Sequence, residues 1–143
     1  LVCLLHFHTD AGNQQQMDKP MTFNNDKAIY IQMADRLCDD ILAGTYSDDD
    51  RVPSVREYAV SLEVNTNTAV KAYDQLARDG IIYNRRGLGY FVTPGARDNI
   101  MQARRKAFLD TTLPSLFRDM RLLGIGIDDI VKEWDTRSGG TNG

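Results

Sequence analysis

Apolar residues recur every three or four positions from Lys27 to Ala43, and this spacing predicts a first amphipathic helix that ends at Gly44. The apolar positions of this helix are Ile29, Met33, Leu37 and Ile41, with Tyr30, Ala34 and Leu42 alongside. Its outer face is expected to carry Asp35, Arg36, Asp39 and Asp40. The turn-rich acidic stretch that follows, residues 44–50, is interpreted as a solvated connector.

Two shorter helices joined by a tight turn come next. Ser54 and Glu57 have the spacing of a capping box, and Pro53 prevents helix upstream of them. The apolar stripe of this helix is Val55, Tyr58, Ala59 and Leu62. The second helix is predicted from Thr66 to Asp79, with Gly80 as its C-terminal stop. Its inward residues are expected to be Ala69, Val70, Tyr73, Leu76 and Ala77.

A β-hairpin with a basic tip is predicted after these helices. The apolar and aromatic runs 81–83 and 90–92 have the composition of strands, and the sequence Asn-Arg-Arg-Gly-Leu-Gly between them forms the loop. Two helices, a tight turn and a hairpin in this order are typical of a winged helix-turn-helix, a fold that holds DNA. The predicted fold class is therefore mainly α with a small β-hairpin.

The predicted first turn of the second short helix, Asn65 to Thr68, consists of four small polar residues. Small hydrogen-bonding side chains at a helix N-terminus suit contact with base edges or phosphates in a major groove, although the same residues also suit a helix cap. Lys71, one turn later, is placed to reach a phosphate. Arg85 and Arg86 beside Gly87 deliver positive charge on a loop whose backbone can approach a surface closely.

Three runs of this stretch, VPSVREYA, VNTNTAVKAYDQLARDGII and RRGLGYFV, resemble the DNA-binding domain of the GntR family of bacterial transcription factors. The chain departs from the family pattern at Val52 and Tyr58, where the family usually has leucine, and at Ala28, where it usually has proline. Some relatives place an arginine at Val70, so their base preference does not carry over. By position, the resemblance implies DNA contacts from Ser54, Arg56, Asn65, Thr66, Asn67, Thr68, Lys71, Arg85, Arg86 and Gly87.

The C-terminal part of the chain carries more apolar surface than it can bury alone. A helical pattern from Ala96 to Met120 shifts its face near Phe108, Pro114 is expected to kink or restart it, and a last short helix is predicted over 128–135. Two such helices cannot cover each other, so the partner is expected to be a second copy of the chain. The expected dimerisation residues are Phe108, Leu113, Leu116, Phe117, Met120 and Leu123.

The length of this part and its ending, LGI…IDDIVKEW, resemble the YtrA branch of the GntR family. That resemblance implies a short helical dimerisation module, and it suggests control of a neighbouring transporter operon. The segment is too short for a large effector-binding domain, although a small crevice at the dimer interface stays open as a possibility. No effector is identified by the sequence.

The predicted domains are a winged helix-turn-helix over 26–94 and a helical dimerisation module over 95–137, between disordered tails over 1–25 and 138–143. Residues 1–16 are interpreted as foreign to the native protein or as the product of an upstream start. The apolar run at the start is too short to span a bilayer and has no signal-peptide flanks. Cys3 and Cys38 lie far apart without metal-ligand spacing, which suits a reducing cytoplasm, and Cys38 is expected to be buried.

The net charge of −3, taken as a total, argues against a nucleic-acid partner, but the charge is unevenly distributed along the chain. Residues 51–106 hold ten basic and five acidic side chains, whereas residues 1–50 hold three basic and nine acidic ones. The positive charge therefore lies on the predicted DNA-binding elements.

Three functions are weighed against these features. The favoured one is a homodimeric, sequence-specific transcription repressor that binds an inverted-repeat operator in double-stranded DNA. The alternative is a winged-helix module for protein contact or for non-specific DNA packaging. An enzyme is not expected, because the sequence holds no nucleophile and base pair, no phosphate-binding glycine loop and no paired carboxylates in an apolar setting. No cofactor, metal or membrane partner is predicted.

Overall fold

The computed structural model describes residues 27–139. The expectations for residues 1–16 and 1–25, with Cys3, and for residues 140–143 lie outside that range. The described chain divides into two compact units, of which the first ends at Ala107 and the second begins at Phe108. Each is described separately.

The first unit consists of four helices and a two-stranded antiparallel sheet, which confirms the predicted winged helix-turn-helix. Its elements are α1 (Ile29–Leu42), α2 (Val55–Ser61), α3 (Thr66–Arg78), β1 (Ile82–Arg85), β2 (Gly89–Val92) and α4 (Ala96–Ala107). Helix α3 contacts both α1 and α2, and α4 packs against α1.

Helix α1 buries the stripe predicted from its spacing, with Met33, Leu37, Cys38 and Ile41 in the core. The prediction was wrong for Ile29, which is 44% exposed at the first turn of the helix. Asp35 also differs from its expected position on the outer face.

The side chain of Asp35 is only 16% exposed, and its Oδ2 atom lies 3.2 Å from Lys27 Nζ. From α4, Arg104 donates hydrogen bonds to the carboxylate of Asp39 at 2.6 Å and to the backbone carbonyl of Asp35 at 3.3 Å. Helix α4 therefore contacts the polar side of α1 at Asp35 and Asp39, although the Asp39 side chain stays 63% exposed. The spacing of α1 alone does not show this contact.

Helices α2 and α3 begin as predicted. In the capping box of α2, Ser54 Oγ accepts from the backbone N–H of Glu57 at 3.2 Å, and the Ser54 N–H donates to Glu57 Oε2 at 2.7 Å. In α3, the prediction of Val70 and Ala77 as inward residues was wrong, since both are exposed. The buried face of α3 is rotated by about one residue from the predicted face, and it includes Ala72 and Gln75 in place of Val70 and Ala77.

The hairpin is longer than predicted, because both strands extend into the expected loop and leave only Arg86, Gly87 and Leu88 in the turn. Its register pairs Tyr83 with Phe91 and Arg85 with Gly89. The segment before α2 runs beside β2: the N–H of Val52 donates to the Tyr90 carbonyl at 3.0 Å, and Arg51 forms an isolated antiparallel bridge with Phe91.

The stretch predicted as a solvated connector is therefore attached to the wing. The Asp49 N–H donates to the Val92 carbonyl, and the Val92 N–H donates to the Asp50 carbonyl, both at 2.9 Å. Asp49 adopts a φ of 63°, in the left-handed region, and its Oδ1 accepts a hydrogen bond from Tyr83 Oη at 2.6 Å. Tyr46 is half-buried against the core.

The second unit contains a π-helical segment (Phe108–Thr112), α5 (Leu113–Leu123) and α6 (Ile127–Ser138). The π-helical segment lies where the sequence pattern shifts its face, and Pro114 lies in the first turn of α5, where a proline is tolerated. Gly124 ends α5 in the left-handed conformation. Helix α6 is longer than predicted and includes Ser138, which was expected to begin the disordered tail.

The division after Ala107 differs from the boundary expected at residues 94–95. Helix α4 belongs to the first unit because its buried residues Ala96 and Ile100 join the same core as α1 and α3. The apolar spacing of α4 alone did not distinguish a helix of this core from a helix of the following module.

Candidate nucleic-acid interface

The outward face of α3 carries the polar residues expected to read DNA. Asn65 is the N-cap, and its Oδ1 accepts a hydrogen bond from the Asn67 N–H at 2.8 Å. Thr66, Asn67 and Lys71 are exposed, whereas Thr68 is half-buried. The first turn therefore combines both interpretations of the sequence, since Asn65 caps the helix and the following side chains face solvent.

Val70 lies on this outward face, between Asn67 and Lys71 along the helix axis, and its side chain is 40% exposed. Sequence reasoning assigned it to the core because a β-branched residue in an amphipathic pattern is more often buried. The signal that could have found it is the spacing, since Thr66, Val70 and Asp74 are each four residues apart and share one face of a helix. An apolar side chain there suits contact with a thymine methyl group.

The start of α2 presents Ser54 and Arg56. Arg56 is exposed, and Ser54 is half-buried by its role in the capping box. Ser54 Oγ accepts from the Glu57 N–H, so the side chain of Ser54 is positioned at the start of α2 by the capping box. The backbone N–H of Ser54 lowers the pKa of Glu57, with the Ser54 hydroxyl and Arg51 acting in the same direction, so the capping carboxylate is held in its charged form.

The three residues predicted to contact DNA from the wing, Arg85, Arg86 and Gly87, occupy different positions in the hairpin. Arg86 and Gly87 form the turn, and Gly87 has a φ of 78°, which a residue with a side chain adopts only with strain. Arg85 is the last residue of β1, and its guanidinium carbon lies 5.2 Å from the centre of the Phe91 ring and 6.0 Å from that of Tyr83. Arg86 therefore points from the tip, whereas Arg85 is positioned by the sheet behind it.

Tyr73 connects α3 to the start of α2 and to the wing. Its hydroxyl donates to the Pro53 carbonyl at 2.5 Å, one residue before the α2 cap, and its ring meets that of Tyr90 in β2 edge-on, with the centres 5.1 Å apart. Tyr58, where the family usually has leucine, packs beside it and donates to the Met33 carbonyl at 2.9 Å. Burial raises the pKa of both phenols, so they remain neutral hydrogen-bond donors across the working pH range.

Comparisons with known proteins identify what this arrangement is used for. The family model described as bacterial regulatory proteins, gntR family, matches residues 29–92. The transcriptional regulator YhcF of Bacillus subtilis is 30% identical over 110 residues, which cover 77% of this chain and 89% of YhcF. The repressor YtrA of the same organism is 31% identical over 106 residues, which cover 74% of this chain and 80% of YtrA. The chain belongs to the GntR family.

Two solved structures agree with this assignment. A GntR-family regulator from Bacteroides thetaiotaomicron has a TM-score of 0.69 and 45% identity, and the match covers 80% of this chain and all of the other. A GntR-family regulator from Listeria monocytogenes has a TM-score of 0.67 and 32% identity, and the match covers 80% of this chain and 98% of the other. The protein is a DNA-binding transcription regulator, and the similarity to YtrA confirms the branch suggested by the C-terminal sequence.

The second unit of this GntR-family chain carries the residues expected at a dimer interface. Leu116, Phe117 and Leu123 are exposed, Phe108 and Leu113 are half-buried, and Met120 is buried within the unit itself. The residues named for dimerisation from the sequence did not include several other exposed apolar residues of the same unit. These are Leu109, Leu122, Ile125, Ile127, Val131 and Trp134.

Among residues 27–139, no helix is long and apolar enough to cross a membrane. Within the same residues, no group of three or more histidine, cysteine, aspartate or glutamate side chains is arranged to hold a metal ion.

Proposed function

We propose that this GntR-family regulator is a homodimeric repressor that binds an inverted-repeat operator. The observation that carries the proposal is the apolar surface of the second unit, where Leu122, Leu123 and Trp134 are 78%, 72% and 70% exposed. Exposed apolar side chains in this number mark an interaction site, and most soluble homo-oligomers pair through a two-fold interface. Repression is proposed because the similar protein YtrA is a repressor.

A two-fold dimer places two copies of α3 on one side of the duplex. Each copy would insert the N-terminal turn of α3 into a major groove, with the wing on the flanking backbone. The two half-sites should therefore be related by inversion and separated by about one helical turn, roughly 10 base pairs, or a multiple of it. We assign no catalytic step to the chain, and we place its action on DNA in the cytoplasm.

Selection of bound duplexes from a random pool tests the operator. The proposal expects one enriched inverted repeat, and its position in the source genome would name the regulated operon. The alternative, a module for protein contact or non-specific packaging, requires equal affinity for any duplex. Selection without an enriched site would therefore replace the proposal with that alternative.

The dimer is tested by light scattering on the full chain and on Phe117→Glu, a charge placed on the exposed apolar face of α5. The wild-type protein is expected at twice its 16.1 kDa chain mass, and the variant at the single mass. A single subunit of the variant would bind one half-site without holding a second subunit near the other half-site. The affinity of the variant for the full repeat should therefore be about 100-fold weaker or more.

Thr136→Glu is the matched control, because it introduces the same charge at an exposed position on the side of α6 opposite Ile127 and Trp134. It should remain dimeric and keep its affinity for the operator. A wild-type particle of single mass that still protects both half-sites together would refute the dimer.

A further inference from the structure

The outer face of the wing carries an arginine that the sequence did not single out. The register places Tyr83 opposite Phe91 and Arg85 opposite Gly89, while Arg51 bridges to Phe91 from the other side. Paired residues of neighbouring strands project from the same face of a sheet. Arg51 and Arg85 therefore project from one face, on either side of β2.

Gly89 leaves room for the Arg51 side chain between the two strands. A Cβ atom at Gly89 would lie 3.2 Å from Arg51 Nε and 3.7 Å from its Nη2. The Arg51 guanidinium therefore reaches along β2 towards the wing tip and covers Gly89, directly across the ladder from Arg85. The absence of a side chain at Gly89 allows two guanidinium groups to approach the same short length of strand.

Arg85 is held in place on this face by aromatic rings. Its guanidinium carbon lies over Phe91, and Phe91 stacks on Tyr83 with ring centres 5.9 Å apart and planes at 28°. Tyr83 is fixed in turn by its hydrogen bond to Asp49. An arginine lying on an aromatic face is pre-organised and still presents its N–H groups outward.

The nearby acidic groups of the described chain form no ion pair with either arginine, although Arg51 is close enough to Glu57 to lower the pKa of that carboxyl. The Glu57 carboxylate accepts a hydrogen bond from the Ser54 N–H at 2.7 Å. The Asp49 carboxylate accepts one from the Tyr83 hydroxyl. Within residues 27–139, neither Arg51 nor Arg85 takes part in an ion pair. Two exposed guanidinium groups on one face, without an acid between them, are suited to an anion.

We propose that Arg51 is a further DNA contact, and that Arg51 and Arg85 flank Gly89 and bind a backbone phosphate beside the wing. The planar guanidinium group suits phosphate oxygens because it presents paired N–H donors. The contact lies beside the tip formed by Arg86 and Gly87, so the wing engages the duplex along its face as well as at its end. This role presupposes the DNA-binding function described above.

The test compares Arg51→Met, which keeps the methylene stem over Gly89 and removes the charge, with Arg51→Lys. Affinity for the selected duplex is measured by fluorescence anisotropy over a range of salt concentrations. Because Arg85 still contacts the same phosphate, removing Arg51 should reduce the slope of log K against log salt by up to about 0.9 for each protomer bound. At 0.1 M salt this corresponds to at most about eightfold weaker binding per protomer, equal on operator and shuffled DNA. The lysine variant should keep the wild-type slope.

Arg78→Met is the control, because Arg78 is exposed in the last turn of α3, away from its DNA-reading end. The double variant Arg51→Met/Arg85→Met should lose less than the sum of the single losses, because both groups share one phosphate. If Arg51→Met matches Arg78→Met in slope and affinity while the wild type binds its operator, the role of Arg51 is refuted and the regulatory function stands. If the wild type itself binds no duplex, both fail.

Discussion

Replacing Asp35 by asparagine should stabilise the protein at neutral pH, although it removes one partner of an ion pair. Asp35 lies where α1, Lys27 and α4 meet, and its Oδ1 atom is buried without a hydrogen-bond partner among the described residues. Burial raises the pKa of this carboxyl from 3.8 to about 6, with a smaller contribution from Asp39. The attraction of Lys27 and Arg104 acts in the opposite direction and is already included in that value.

The sign of the pH effect follows from these two pKa values. Between pH 3.8 and about 6 the folded protein binds a proton that the unfolded chain releases, so the stability contributed by Asp35 is greatest below 3.8 and is lost as the pH rises to about 6. At about 1.4 kcal/mol for each pH unit, the full difference is about 3 kcal/mol. The asparagine variant has no such loss. It should match the wild type near pH 3.5 and exceed its unfolding free energy by about 2–3 kcal/mol above pH 6.5.

Urea unfolding at several pH values measures this difference, and the chain supplies a selective signal. All six tyrosines lie in the first unit and the one tryptophan, Trp134, lies in the second. Near-UV circular dichroism of tyrosine therefore follows the unit that contains Asp35, while tryptophan fluorescence follows the other. Asp48→Asn, in the exposed loop, is the control and should change stability by less than about 0.5 kcal/mol.

The reasoning fails if Asp35→Asn is less stable than the wild type at pH 7.5 by the tyrosine signal. That result would mean that the pairing with Lys27 outweighs the desolvation of the carboxylate. A constant difference between the two proteins from pH 3.5 to 7.5 would also contradict it, because the effect would then not come from ionisation.

Three further changes test the interface. Tyr73→Phe leaves the half-buried Pro53 carbonyl without its donor, which should lower the unfolding free energy by about 0.5–1.5 kcal/mol; an unchanged thermal midpoint would show that this hydrogen bond does not stabilise the fold. Val70→Ala should weaken discrimination at one A·T pair of the operator by about 1 kcal/mol, as measured on single-base variants; an equal loss on all of them would contradict a base contact. Phe91→Leu removes the ring under Arg85 and should weaken DNA binding by about two- to fivefold, an effect that should vanish in an Arg85→Met background.

The sequence predicted the helices and the hairpin well because their signals are local. The capping box of Ser54 and Glu57, the stop at Gly80 and the restart at Pro114 depend on residues within one or two turns. The errors fall where burial is decided by a distant element. Asp35 was placed outside because α4 returns some seventy positions later to contact it. Val70 is a different case, since its apolar side chain was given more weight than its position on one helix face with Thr66 and Asp74.

The same distinction applies to the DNA-binding residues. The polar turn of α3 and the tip arginines could be named from composition and from the family resemblance. Arg51 could not, because only the bridge to Phe91 brings it onto the wing. Its neighbours in sequence, an acidic loop and Val52, gave no indication of a basic surface.

The hydrogen bonds that join the segment 49–52 to β2 make the wing continuous with the start of α2. We therefore infer that a groove pressing on the hairpin would also displace Ser54 and Arg56, so that the wing and the start of α2 would contact the DNA backbone as one rigid body. The affinity of such a regulator would depend on the distance between neighbouring backbone phosphates. Operators that differ only in groove width should be distinguished without any change in the bases that are touched.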